Sequence, residues 1–105
     1  MMKVGEKKMI KAFFSEGNAR VNNDWVISRD GISEWFYHGH CIATCDSEGT
    51  VNLDSCGWET VSTKSRLNAI LSHLKDSRRI CQDNFQWYLG EDKWYGSINI
   101  YANQE

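Results

Sequence analysis

The chain predicts an α+β fold, an antiparallel β-sheet of about six to seven strands packed on one central α-helix over residues 62–75. Three observations predict it. The stretch Gly57 to Leu71, GWETVSTKSRLNAIL, sets a turn residue, an aromatic, capping hydroxyls and an apolar helical stripe in succession. Turn signals at Asp30-Gly31, His38-Gly39 and Ser47-Glu48-Gly49 cut residues 24–53 into pieces of strand length. Thirteen aromatics, five of them tryptophan, are a load that suits a pleated surface.

Length and charge bound the rest. At 105 residues the chain is read as one domain, residues 1–105, with a single modest core. Twelve Lys plus Arg against fourteen Asp plus Glu give a net charge of −2. No strongly basic face is guaranteed, so duplex nucleic acid is not the default partner. No apolar run approaches the roughly 20 residues of a membrane span, and no membrane partner is expected. The N-terminus, MMKVGEKKMIKAFF, has lysines but no apolar core followed by a small-residue cleavage site. A cytoplasmic protein without a signal peptide is therefore expected. In that setting Cys41, Cys45, Cys56 and Cys81 read as buried free thiols rather than two disulfides. Proline is absent, so glycine, Asn and Asp must make the turns.

In chain order, KKMIKAFF (residues 7–14) reads as a first strand, and Gly17-Asn18 as a turn. Asp30-Gly31 pairs Arg29 with Ile32, hence Trp25 with Phe36. His38-Gly39 pairs Tyr37 with His40 and Phe36 with Cys41. The Ser47-Glu48-Gly49 loop pairs Cys45 with Val51. Strand faces alternate with period two, so these registers propagate. One face then carries Trp25, Ile27, Phe36, Cys41, Ala43, Cys45, Val51 and Leu53, and it is assigned to the core under the helix. The other, with Val26, Ser28, Ser33, Trp35, Tyr37, His40, Ile42 and Thr44, is read as partly exposed. An extra residue in any turn would flip the assignment beyond it.

The helix follows from Leu67, Ile70, Leu71 and Leu74 at i, i+3, i+4 and i+7. Ser62 or Thr63 is the expected cap, Lys75 suits the last turn, and Trp58 is expected to pack under the first turn as a structural side chain. After the helix, Arg79 to Gln82, Phe85 to Leu89 and Ser97 to Tyr101 read as strands. Asp83-Asn84 joins the first two.

YHGHCIA, GWETVSTKSRLNAIL and ICQDNFQWYLG together resemble a family of small tailed-phage proteins. That family carries a hydrophobic-His-Gly-x-x-Ile-Ala hairpin, a Gly-Trp-x-Thr-x-Thr-Thr helix start with Arg-Leu-Asn, and a Gln-(Lys/Asp)-(Asn/Asp)-x-x-Trp-(Tyr/Phe) strand. The similarity covers roughly residues 18–100, with Ser62 where the family usually has Thr, a change that keeps the hydroxyl. The resemblance implies a phage or prophage origin and no particular activity.

Candidate chemistry is sparse. His38, His40, Cys41 and Cys45 are zinc-ligand types. The hairpin register, however, sends His40 and Cys41 to opposite faces, so structural thiols are favoured. A cysteine nucleophile with a histidine base lacks any spacing that carries signal. No phosphate-cradling loop or Gly-x-Ser-x-Gly elbow is present. No cofactor and no enzymatic activity are expected. Thr60, Thr63, Lys64, Arg66 and Asn68 surround a helix N-terminus that suits an anion, although capping and ties to neighbouring backbone explain them more simply. Trp35, Tyr37, Trp87, Tyr88, Trp94 and Tyr95 are candidate stacking or anchoring aromatics, about half of them core. The binding candidates are Trp35, Tyr37, Lys64, Arg66, Asn68, Trp94 and Tyr95. The leading expectation is a non-enzymatic phage accessory protein that binds and modulates or inhibits a host protein, such as a host-defence or transcription component. A single-stranded nucleic-acid binder is the alternative, and a nucleotide-sequestering protein a weaker one.

Overall fold

The computed structural model describes residues 4–100. Helix α1 (Val4–Phe14) leads into a meander of β1 (Ala19–Val21), β2 (Asp24–Arg29), β3 (Ile32–Tyr37), β4 (His40–Cys45) and β5 (Val51–Asp54). Helix α2 (Val61–His73) follows, then β6 (Ile80–Asp83), β7 (Gln86–Leu89), β8 (Asp92–Lys93) and β9 (Ser97–Ile100). One antiparallel sheet runs β1-β2-β3-β4-β5-β9, and a second runs β6-β7-β8. The α+β class holds, with the strands divided between two sheets and a second helix at the N-terminus.

That helix corrects the strand read at residues 7–14. Glu6, Met9, Ile10 and Phe13 follow helical spacing and are all buried. The stripe went unread because its first member is a carboxylate. Ser65 Oγ donates to Glu6 Oε2 at 2.7 Å, so the buried acid ties α1 to α2.

Each paired position deduced from the turns is observed. Trp25 faces Phe36 and Arg29 faces Ile32. Tyr37 faces His40, Phe36 faces Cys41, and Cys45 faces Val51. The Asp30-Gly31 and His38-Gly39 turns take left-handed φ at both residues, 55° and 79°, then 52° and 80°, as a two-residue hairpin of right-handed twist needs.

The faces are nevertheless inverted in β2 and β3. A bulge between Trp35 and Phe36 sets Ala43 opposite Trp35 and Cys41 opposite Phe36, so Ile42 is the extra residue. Ile42 and Ala43 are consecutive and both buried. The core line therefore runs Val26, Trp35, Ala43, Leu53 across four strands. Both helices pack on that side, with Phe13 against the Trp35 ring at 5.8 Å. Trp25, Ile27 and Phe36, assigned to the core by simple alternation, lie on the outer face. The thiols also depart from expectation: all four are free, but Cys41, Cys45 and Cys56 are only part-buried and Cys81 is exposed.

Helix α2 is capped by Thr60 rather than Ser62 or Thr63. The Thr60 hydroxyl accepts from Thr63 N–H at 3.2 Å, and Thr63 itself is buried. At the other end Lys75 lies beyond the helix with φ 61°, while Lys75 and Asp76 N–H groups bond the Ser72 and Leu71 carbonyls. This is a C-terminal cap of the Schellman type, with lysine in the place usual for glycine. Leu67, Ile70 and Leu71 fill the core.

The small sheet is pinned to α2 through Asn68, whose amide accepts from Ile80 N–H at 2.7 Å and donates to Ile80 C=O at 2.9 Å. The β6–β7 turn is Asn84-Phe85, one residue later than Asp83-Asn84, again left-handed at 55° and 68°. The segment after Gly90 contains the short β8, and the last strand is described to Ile100; Tyr101 lies outside the described residues.

Candidate functional site

The residues around the α2 N-terminus form a closed internal network. Arg66 holds Asp24 with two parallel bonds, Nε to Oδ1 at 2.6 Å and a terminal nitrogen to Oδ2 at 2.7 Å. Its other terminal nitrogen donates to the Ser62 carbonyl at 2.9 Å. The guanidinium lies 3.8 Å from the Tyr37 ring centre, and Tyr37 O–H donates to Ser62 Oγ at 2.9 Å. Trp35 Nε1–H donates to Asp24 Oδ1 at 3.0 Å, so one buried carboxylate gathers an indole and a guanidinium. Burial would lower the Arg66 pKa; the hydrogen bonds and charge of Asp24 outweigh it and raise the value.

Most sequence candidates are thereby committed to the interior. Trp35 and Trp94 are buried, and the Trp94 indole donates to Ser55 Oγ at 3.1 Å. Arg66 and Asn68 spend their donors on Asp24, Ser62 and Ile80. Tyr37 and Lys64 are half-buried, and Tyr95 is exposed. Of the six aromatics singled out, Trp35, Trp87 and Trp94 are core.

Beside the network lies a cleft of about 140 Å³ lined by Tyr37, His38, His40, Ile42, Trp58, Thr60, Ser62 and Thr63. Small-molecule sites usually enclose roughly 300–1,000 Å³, so this cleft suits one side chain better than a nucleotide. Trp58 is not packed under the helix. It is 53 % exposed and leans on His40 at 5.3 Å, which corrects its expected packing under the first turn.

Other exposed apolar side chains lie on segments linked to that of Trp58. Ser55 N–H donates to the Gly96 carbonyl at 2.9 Å, and Trp58 N–H to the Ser55 carbonyl at 2.8 Å. These bonds bring the segment leading into α2 against the residues that follow β8. Tyr95, next to Gly96, is 82 % exposed, and Val61, the first residue of α2, is 75 % exposed. Gln86 Nε2 reaches the Trp94 carbonyl at 3.4 Å, so Tyr95 emerges at the same end of the small sheet as Phe85. Phe85 is 92 % exposed. Its φ of 68° is a conformation that disfavours any side chain by about 1–2 kcal/mol. Phe85 and Trp58 were not among the binding candidates; the turn residue Asn84 was the available signal for the former.

A second surface lies on the outer face of the six-stranded sheet. Trp25 and Phe36 stand directly opposite on β2 and β3, with Ile27 next along. They line a groove of about 480 Å³ closed by Arg20, Asn22, Asn23, His38 and Gly39. Trp25 is 44 % exposed, and the Arg20 guanidinium sits 5.0 Å from its ring.

Burial disfavours the thiolate at Cys41, Cys45 and Cys56. Burial, then the charge of Glu34, raises the Cys41 pKa; burial, then Asp46, raises that of Cys45; burial, then Asp54, raises that of Cys56. Among the described residues no group of three or more His, Cys, Asp or Glu is placed to hold a metal ion. No helix among them is long and apolar enough to cross a membrane.

The architecture and its two aromatic surfaces define a small antiparallel α+β protein, with two sheets and two helices among the described residues. The family described as Kyanoviridae Gp96 protein matches residues 1–104. The chain belongs to this bacteriophage family, in keeping with the tailed-phage resemblance of its motifs. No curated protein matches the chain, and no solved structure does.

Proposed function

We propose that this phage protein acts without catalysis, by docking a host protein on the end of the molecule formed by Trp58, Val61, Phe85 and Tyr95. One observation carries the reading: Trp58, Val61 and Tyr95 stand half to largely exposed on segments joined by the Ser55–Gly96 link, and Phe85 is almost fully exposed in the turn beside Gln86, which reaches the Trp94 carbonyl. Aromatic anchors of this kind dominate protein interfaces. Phe85 supports the reading further, because its backbone is held in a disfavoured conformation that brings no packing gain within the chain. Modulation or inhibition of a host-defence or transcription component, by occlusion in the host cytoplasm, is the mode such a surface serves.

The test is a pull-down of the tagged protein from host lysate, with and without nuclease, beside a variant carrying Trp58→Ala, Phe85→Gly and Tyr95→Ala. One stoichiometric host protein that survives nuclease and is lost with the variant supports the reading. Turnover of a nucleotide or nucleic acid by the purified protein alone overturns it, as does a partner retained equally by the variant.

A further inference from the structure

We propose that the outer face of the six-stranded sheet binds single-stranded nucleic acid, with bases stacked on Trp25 and Phe36 and the phosphate backbone drawn to Arg20. The proposal goes beyond the docking end and uses none of its residues. Three features carry it. The face is open: Val26, Trp35, Ala43 and Leu53 turn inward to both helices, and no described element covers Trp25, Ile27 or Phe36. Trp25 and Phe36 are cross-strand partners, so two aromatic side chains project from directly opposed positions on the outer face. A base needs such a platform, because every base has a π-face and stacking does not depend on sequence.

The third feature is charge. The protein as a whole carries −2, yet the residues lining this groove include Arg20 and His38, two asparagines and no carboxylate. Acids flank the groove without lining it: Glu34 stands opposite Ile27, and Glu34 and Asp54 both lie near Cys41, the cross-strand partner of Phe36. Within the lining itself Arg20 is the fixed charge, and a cation beside aromatic side chains fits a polyanion that also carries rings. The amides of Asn22 and Asn23, exposed in the β1–β2 turn, supply donors and acceptors for base edges at the groove mouth.

The experiment is fluorescence anisotropy of a labelled oligothymidylate of about 12 nucleotides, titrated with the full chain over a range of salt. The expected result is saturable binding that weakens as salt rises. Trp25→Ala weakens it about tenfold or more, and Arg20→Gln flattens the salt dependence. Phe85→Gly, at the docking end, leaves it unchanged. Circular dichroism confirms that each variant keeps its fold. Absence of binding at low salt overturns the proposal, as does binding indifferent to both Trp25→Ala and Arg20→Gln. A host protein whose capture depends on Trp25, with no oligonucleotide affinity, also overturns it and assigns the face to protein. Because the variants are separate, this proposal and the docking end stand or fall independently.

Discussion

Trp25 and Trp35 lie on neighbouring strands of one sheet and have opposite fates. Trp35 is fully buried, its ring against Phe13 and its N–H on Asp24. Trp25 is 44 % exposed, with Arg20 over its ring. The inner indole satisfies its polar atom inside the protein and completes the packing between sheet and helices. The outer one is left available. Composition could not separate them, since the same residue type serves stability on one face and availability on the other.

Substitution should make the contrast quantitative. Trp35→Ala is expected to destabilise the fold by about 3–5 kcal/mol, through the cavity left beneath α1. Trp25→Ala should stay within about 0.5 kcal/mol of the parent in the same denaturant titration. Equal losses would show that the outer face carries unrecognised packing. Asp24→Ala comes next. It strips the partner from Arg66 and from the Trp35 N–H together, and breaking a buried pair in this way destabilises by about 3–5 kcal/mol. Because Arg66 keeps its Ser62 bond and some solvent contact, the lower end is expected. A double variant with Arg66→Met that recovers part of the loss would identify the stranded guanidinium as its source.

A smaller effect of opposite sign is expected at the docking end. Phe85→Gly relieves the left-handed strain at a turn where Asn-Gly is the favoured pair. It should stabilise the protein by about 1 kcal/mol, read as a rise in Tm, while removing an anchor from the proposed interface. A fall in Tm would show that Phe85 packs in solution. The smallest effect concerns pH. Hydrogen bonds from the Arg78 side chain, then its backbone N–H and charge, outweigh burial and hold the Asp76 carboxyl below its ordinary value. A carboxylate depressed in the folded state stabilises above its unfolded pKa of about 4, and that contribution fades as pH falls through the folded value. Asp76→Asn should therefore show a shallower loss of stability below about pH 4 than the parent.

Much of this was legible in the residues. Asp30-Gly31 and His38-Gly39 fix the hairpins because few residues accept two successive left-handed positions, and their registers were deduced correctly. What could not be counted was Ile42. One unpaired residue within β4, not in any turn, reversed the parity of everything on its N-terminal side, so Trp25 and Phe36 were sent inward and Val26 and Trp35 outward. The Val51 and Leu53 assignment survived because it lies beyond the bulge. Helix α1 was hidden by Glu6, an acid whose burial depends on Ser65, a residue distant in sequence. The site candidates failed to separate for a related reason. Arg66 and Asn68 carry the donors expected of a ligand site, and only the tertiary placement of Asp24 and Ile80 shows those donors already used.

The last strand has a consequence for how the molecule assembles. The hairpins from β1 to β5 join neighbours in the chain, whereas β9 reaches β5 across α2 and the small sheet, with Asn52 bonding the Ile98 carbonyl 46 residues away. Closing so long a loop carries an entropic penalty that adjacent hairpins avoid. The β5–β9 pairing is thus the non-local joint of the six-stranded sheet. The proposed docking end, built on the Ser55–Gly96 link beside that joint, depends on a long-range closure. The Trp25 groove, lined wholly by β1, β2, β3 and the turns after β1 and β3, needs only neighbouring hairpins.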